Sequence, residues 1–328
     1  MADELGRWAA TRAPELLARA EAEAVQVLRD ALVAAALPRA TATPAAAAAP
    51  PPTATSPEPA GEALWVYCVS RADGVSPPAG EGVAGSPVEL VEHDGLAAFV
   101  SRVPVAEFGE EPLRRNLNEL AWLERVARAH EGVLERALAN ASIAPLRLCT
   151  IYDGPARVRM MLGAAHARFL SVLDLLDGRQ EWGVKLLLDP AQVAAEARRR
   201  LPDAEEEGAE VAERGEGAGY MLRRRLERRI ADAADALATE VAEEVHANLL
   251  GSAVAGVTRA AQNRELSGHE GDMALNAAYL VEAKRVDGLR ELVAILEAHH
   301  SRVGARIELT GPWPPYNFVP HDGAEALA

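Results

Sequence analysis

The side chains best suited to chemistry in this chain are its eight histidines and two cysteines, and their spacing argues against most chemistry. His299 and His300 are adjacent, so a helix would hold them about 100° apart, a poor chelate. His130-Glu131 lacks a second histidine one turn on, and His269 and Asp272 fall in a predicted loop, so no metal site is expected. His130 lies on an apolar stripe and reads as a hydrogen-bonded core residue. Cys68 and Cys149 have no CxxC partner and fall in predicted core strands, where a thiol acts as a small hydrophobe. There is no G-x-S-x-G, no Walker loop and no strand-linked G-x-G-x-x-G. Gly80–Gly85 is glycine-rich, but Glu81 would repel a phosphate. No acid, base and nucleophile converge, and neither a catalytic centre nor a cofactor is expected.

Two segments suit recognition instead. Arg223, Arg224, Arg225, Arg228 and Arg229 open a long predicted helix that ends in Glu240, Glu243 and Glu244. This is the reverse of what the helix macrodipole favours. The block reads either as a solvated face or as a dock for acid, supplied by Asp203 and Glu205–Glu207 of the chain itself or by a partner. The second segment is Thr310-Gly-Pro-Trp-Pro-Pro-Tyr-Asn-Phe318. Its prolines fix φ and remove donors, so it cannot continue a helix or pair as an inner strand. Trp313, Tyr316 and Phe318 give this stiff run aromatic faces. It suits a clamp over the protein's own sheet or a low-entropy surface for a partner.

The elements that must position these residues form an α+β pattern. Residues 1–37 hold an amphipathic helix over 15–37, and residues 38–61 a Pro/Ala-rich linker that cannot bury a core. A first α+β domain spans 62–179. Its strand at Leu64–Val69 precedes a hairpin, Val88–Glu92 and Leu96–Arg102, turned by Asp94-Gly95. A helix then starts at Pro112 with Leu113, Leu117, Leu120, Ala127, His130, Leu134 and Ala137 on one stripe. A strand at Ile143–Ile151 and a helix over 156–177 complete it. The second domain, 180–310, reads β-α-β-β-α-β, the ferredoxin-like split βαβ order. Its strands are Trp182–Leu188, Ala253–Ala261, Met273–Glu282 and Ala305–Thr310. Its helices cover 191–200, 219–250 and Val286–Val303, with a flexible acidic insertion at 202–218. The first domain is a modified version of the same topology, and 311–328 form a C-terminal clasp and tail.

Bulk properties narrow the partners. The chain has 328 residues, 49% apolar, and a net charge of −15. Such acidity argues against nucleic acid, since no basic surplus exists to displace counterions. No apolar run reaches membrane-spanning length, and no leader pattern opens the chain. The expected compartment is the reducing cytoplasm.

Seven stretches together resemble the GvpL/GvpF family of gas vesicle proteins. They are Trp65-Val-Tyr-Cys-Val69, Leu96-Ala-Ala-Phe-Val-Ser101, His130-Glu-Gly-Val-Leu134, Pro145-Leu-Arg-Leu-Cys-Thr150, Glu181-Trp-Gly-Val-Lys185, Asn276-Ala-Ala-Tyr-Leu-Val281 and Thr310–Phe318. They run in order over roughly residues 62–319. One departure is Leu148-Cys149, where the family usually has Phe-Gly. The resemblance implies two α+β domains of modified ferredoxin-like topology and a non-enzymatic role in assembling gas vesicles. It implies binding to the major gas vesicle shell protein and to other gas vesicle accessory proteins. The competing expectations are a ferredoxin-like small-molecule-binding or hydrolytic enzyme, and a generic adaptor that recruits through its N-terminal helix.

Overall fold

The computed structural model describes residues 61–213, 216–259 and 272–320. The expected N-terminal helix and nearly all of the linker lie outside the described residues.

The first sheet is built on β1 (Glu62–Arg71), whose interior is buried on both faces. That explains its unbroken apolar run, which shows no alternation. β2 (Glu89–His93) and β3 (Leu96–Pro104) form the predicted hairpin, and Asp94 and Gly95 both take positive φ. A bulge between Val66 and Cys68 shifts the β1–β3 register. It turns Tyr67 and Cys68 toward the same core as Trp65.

The predicted helix from Pro112 is broken. A short α1 (Val105–Phe108) and α2 (Glu110–Asn116) precede α3 (Leu120–Leu138). The Asn116 amide donates to Glu107 O (3.1 Å) and the Asn118 amide to Arg114 O (3.0 Å). Such side-chain bonds compete with the helical ladder. The break rotates α3, so Leu120 is exposed and Trp122 and Leu123 are buried in its place.

The expected strand Ile143–Ile151 is reduced to two short pieces, β4 (Ala144–Pro145) and β5 (Ile151–Tyr152), both paired with β1. Pro145 has no donor to extend the ladder. Cys149 stands between the pieces at φ 65°, so it is not a strand residue. The expected helix 156–177 is two, α4 (Pro155–Ala164) and α5 (His166–Leu176), joined at a non-helical Ala165.

The second sheet consists of β6 (Arg179–Leu188), β7 (Ala255–Thr258), β8 (Asp272–Glu282) and β9 (Arg306–Trp313). Asp189 caps α6 (Pro190–Arg200), its carboxylate accepting from Ala191 N (2.8 Å) and Gln192 N (3.3 Å). The acidic insertion is not a flexible loop through its described part. It folds into α7 (Ala204–Glu213), with Glu205–Glu207 in the first turn, where the macrodipole favours acid. The long helix is α8 (Glu216–Ser252), and its Leu237, Val241, Val245 and Leu249, each four residues from the next, form one buried face. The last helix, α9 (Val286–His299), ends earlier than expected and passes into a 3-10 turn at Ser301–Val303.

Both sheets are antiparallel and share one strand order. The first runs β2-β3-β1-β4 and the second β7-β8-β6-β9, each second-third-first-fourth in its own sequence. They differ in the link from first strand to second. A loop makes it in the first sheet, and α6, α7 and α8 make it in the second. α3 covers one face of the first sheet, against Trp65, Tyr67 and Phe99. α4 and α5 cover the other, against Leu64, Val66 and Val100. Ala278 and Leu280 of β8, with Phe318 and Val319, join that same cluster. The helices of the second half pack on the opposite face, around Trp182, Val184, Leu186 and Tyr279. The α4–α5 layer therefore lies between the two sheets.

Candidate functional site at the seam between the sheets

The Pro-aromatic run lies along this seam, and its geometry starts with His130. The stripe of α3 carries His130 into the first core, where it is fully buried. Trp65 Nε1–H donates to His130 Nδ1 (3.0 Å). An indole only donates, so the neutral ring carries its proton on Nε2. Nε2 then donates to the Tyr316 hydroxyl oxygen (3.1 Å), and Tyr316 O–H donates to Glu131 Oε1 (3.0 Å). Burial pushes the His130 imidazole down to about 3, so it stays neutral, and raises Tyr316. Glu131 is pushed up to about 7, chiefly by burial, with the Tyr316 bond opposing the shift.

The next residue serves the other sheet. Asn317 N–H donates to Glu181 Oε2 (3.1 Å), and its side-chain amide donates to the other Glu181 oxygen. Arg259, just after β7, donates through Nε to Asn317 Oδ1 (3.1 Å). Burial raises Glu181 to about 7, against the pull of Asn317 and Arg259. Phe318 is buried in the cluster shared by both halves. Adjacent residues of one stiff segment thus fasten to different sheets.

The run is also less separate from the sheet than expected. β9 is an edge strand and pairing continues to Glu181↔Trp313, across a bulge between Glu181 and Gly183. An edge accommodates Pro312, whose missing donor no neighbour needs. Gly311 sits at φ 136°, and a Cβ there would come 3.0 Å from Glu181 O. Trp313 differs from its neighbours: it is 45% exposed and its indole donates to Thr310 Oγ1 (3.1 Å).

The arginine block lies elsewhere. Arg223, Arg224, Arg225 and Arg228 are exposed on α8. Arg229 pairs with Glu207 of α7, so the chain's own insertion takes up one of the five. Arg224 lies over the Tyr220 ring, 6.0 Å from its centroid. The structure does not bring the arginines and the aromatic run to one place.

Sequence reasoning missed Glu131, Glu181, Arg259 and Asn317 as a set. No local spacing connects positions so far apart; only Glu181 hinted at it, as a lone acid in an apolar strand. Among the described residues, Glu244, His299 and His300 are the one group that gathers three metal-type ligand atoms.

Comparison with known proteins follows the same architecture. The model of the family described as gas vesicle synthesis protein GvpL/GvpF matches residues 63–320, from the first residues of β1 through the clasp. The chain belongs to the GvpL/GvpF family. It is 40% identical over 256 residues to gas vesicle protein L of Streptomyces sp. strain CB03234, covering 78% of this chain and 92% of that protein. Gas vesicle protein F of the same strain is 30% identical over 78% of this chain and 99% of its own length. The crystal structure of GvpF from Anabaena sp. PCC7120 superposes with a TM-score of 0.61 at 18% identity, over 79% of this chain and 99% of that one. At that identity the likeness shows a GvpF-like fold. The family match spans both sheets, the seam and the exposed Trp313.

Proposed function

We propose that this protein is a non-enzymatic accessory factor of gas vesicle assembly. It binds the major shell protein and other accessory proteins during nucleation or growth of the vesicle, in the cytoplasm and at the vesicle itself. The observation that carries this reading is the family match over residues 63–320, which takes in both sheets and the run that joins them. The greater identity to the L protein than to the F protein of one organism, 40% against 30%, supports the L branch. The shared strand order supports reading the second half as a ferredoxin-like split βαβ domain and the first as an altered copy.

The physics suits such a role. A shell subunit hydrophobic enough to keep water out of a vesicle would aggregate before assembly, and an acidic binder that covers it would keep it available. Net charge of −15 keeps the complex dispersed. Two exposed features supply contacts independent of the core: Trp313, and the arginine face at Arg223, Arg224, Arg225 and Arg228. Tyr316 and Phe318 follow the first in sequence and anchor the run to the interior. No described helix is long and apolar enough to cross a membrane.

Co-purification of the intact chain with the shell protein tests the reading. Removing residues 311–328 would strip Phe318 from the core, so point variants are the sharper probe. Trp313→Ala and reversal of Arg223–Arg225 to Glu should each lower recovery of a partner while the chain stays folded. Recovery of neither the shell protein nor another vesicle protein by the intact chain overturns the proposal.

A further inference from the structure

A polar cleft of about 370 Å³ opens where α6, α8 and the end of α9 meet. Glu196 and Arg200 of α6, Glu240 and Glu244 of α8, and His299, His300 and Arg302 line it. The sequence argues that adjacent histidines on a helix diverge. Here the helix stops between them. His299 is the last residue of α9, and His300 leaves helical geometry at φ −94°, ψ 18°. The rings stand nearly perpendicular, 4.8 Å between centroids, with both Nε2 atoms turned to one carboxylate. His299 Nε2 lies 3.7 Å from Glu244 Oε1, and His300 Nε2 lies 3.7 Å from Glu244 Oε2. One ligand atom from each residue falls within 4.8 Å of the others.

The decisive atom is His300 Nε2. The His300 side chain is only 8% exposed, and Nε2 is buried with no hydrogen-bond partner. Leaving a buried polar atom unpaired is unfavourable, so its direction into the cleft needs an explanation. Glu244 is too far to accept a hydrogen bond at 3.7 Å. A neutral imidazole presents a lone pair on its unprotonated nitrogen, which is what a metal ion requires. Around a tetrahedral zinc ion, neighbouring ligand atoms stand about 3.3 Å apart, as bonds of about 2.0–2.2 Å require. Small side-chain rotations close that difference.

Local charge is compatible. Three carboxylates, Glu196, Glu240 and Glu244, face two guanidinium groups, Arg200 and Arg302. Arg200 is engaged by Glu196 (3.1 Å) and Glu240 (3.5 Å), which leaves Glu244 to the histidines.

We propose that Glu244, His299 and His300 bind a divalent cation of the zinc class, through two imidazole nitrogens and one carboxylate, with water completing the shell. Imidazole with carboxylate suits zinc, and an all-oxygen set for calcium or magnesium is not what the cleft offers. The ion ties the C-terminal part of the long helix to the end of the last one, and so fixes the helical layer behind the second sheet.

Titration of the intact chain with Zn(II) against a chromophoric chelator tests this, with Co(II) absorption as a second readout. One equivalent should bind, Co(II) should show the intense visible bands of tetrahedral coordination, and Zn(II) should raise the melting temperature. His299→Ala and Glu244→Gln should each weaken binding at least tenfold and abolish the thermal shift. His299 is 64% and Glu244 44% exposed, so neither change disturbs the core. Absence of stoichiometric uptake by the intact chain, or equal uptake by both variants, overturns the proposal.

Discussion

At the scale of single residues, two positions make sharp predictions. Cys149 occupies φ 65°, a left-handed conformation that glycine adopts freely and side chains resist. The resemblance noted in the sequence implies glycine at this place, and the left-handed backbone is a physical reason for one. Cys149→Val, β-branched, should cost about 2 kcal/mol, while Cys149→Gly should stay much nearer the parent, as urea denaturation would read. The acid pair Glu131 and Glu181 sets a pH window. Both carboxyls rise from 4.5 to about 7 in the folded chain. Between those values the native state holds protons that the unfolded state releases, so stability falls as pH rises from about 4.5 to about 7 and levels off above. The Glu131→Gln/Glu181→Gln variant should lose that part of the slope when urea midpoints are compared at about pH 5 and about pH 8. The burial of His130 was legible from its place on an apolar stripe. Its partners Trp65 and Tyr316, 65 and 186 positions away, were not, because a hydrogen bond over such separation has no local periodicity.

At the scale of elements, the sequence was a good guide wherever local chemistry decided. The Asp94-Gly95 hairpin and the helices expected over 191–200 and 219–250 all stand close to where periodicity and turn chemistry put them. Asp189→Ala should lower the melting temperature, read from thermal unfolding, because two backbone N–H groups lose their acceptor. The errors share one cause. Continuous apolar periodicity across Asn116–Asn118 and across Ala165 suggested single helices, yet side-chain amides and a non-helical residue broke them. Ile143–Ile151 looked like one strand, yet Pro145 and the left-handed Cys149 split it. The acidic, Gly-rich stretch 202–218 reads in the sequence as a flexible insertion. Its first turn is helical because the macrodipole favours acid there and because Glu207 finds Arg229 across the helix pair. Periodicity reports which face is apolar; it does not report where a competing hydrogen bond ends an element.

At the scale of the whole molecule, the C-terminal run couples the two halves. Tyr316 belongs to the bonding of the first sheet, Asn317 to that of the second, and Phe318 to the apolar layer between them. Tyr316→Phe leaves the His130 Nε2 proton and Glu131 without their shared partner and should cost about 1–3 kcal/mol. Amide exchange should then quicken in α3 and β6 together, whereas Trp313→Ala, at the exposed end of β9, should leave both protected. Faster exchange confined to one sheet would show that the halves are independent. The sequence by itself determined the α+β class, the identity and order of most strands, the burial of His130 and the family, because each rests on local pattern or on motifs met in order. Only the tertiary structure decided what the aromatic run clasps, which arginine is taken up internally, and that Glu244, His299 and His300 converge. Those facts depend on side chains brought together from distant parts of the chain: the packing of two sheets on one shared helical layer sets the clasp, and the helices on the far face of the second sheet set the arginine and histidine contacts.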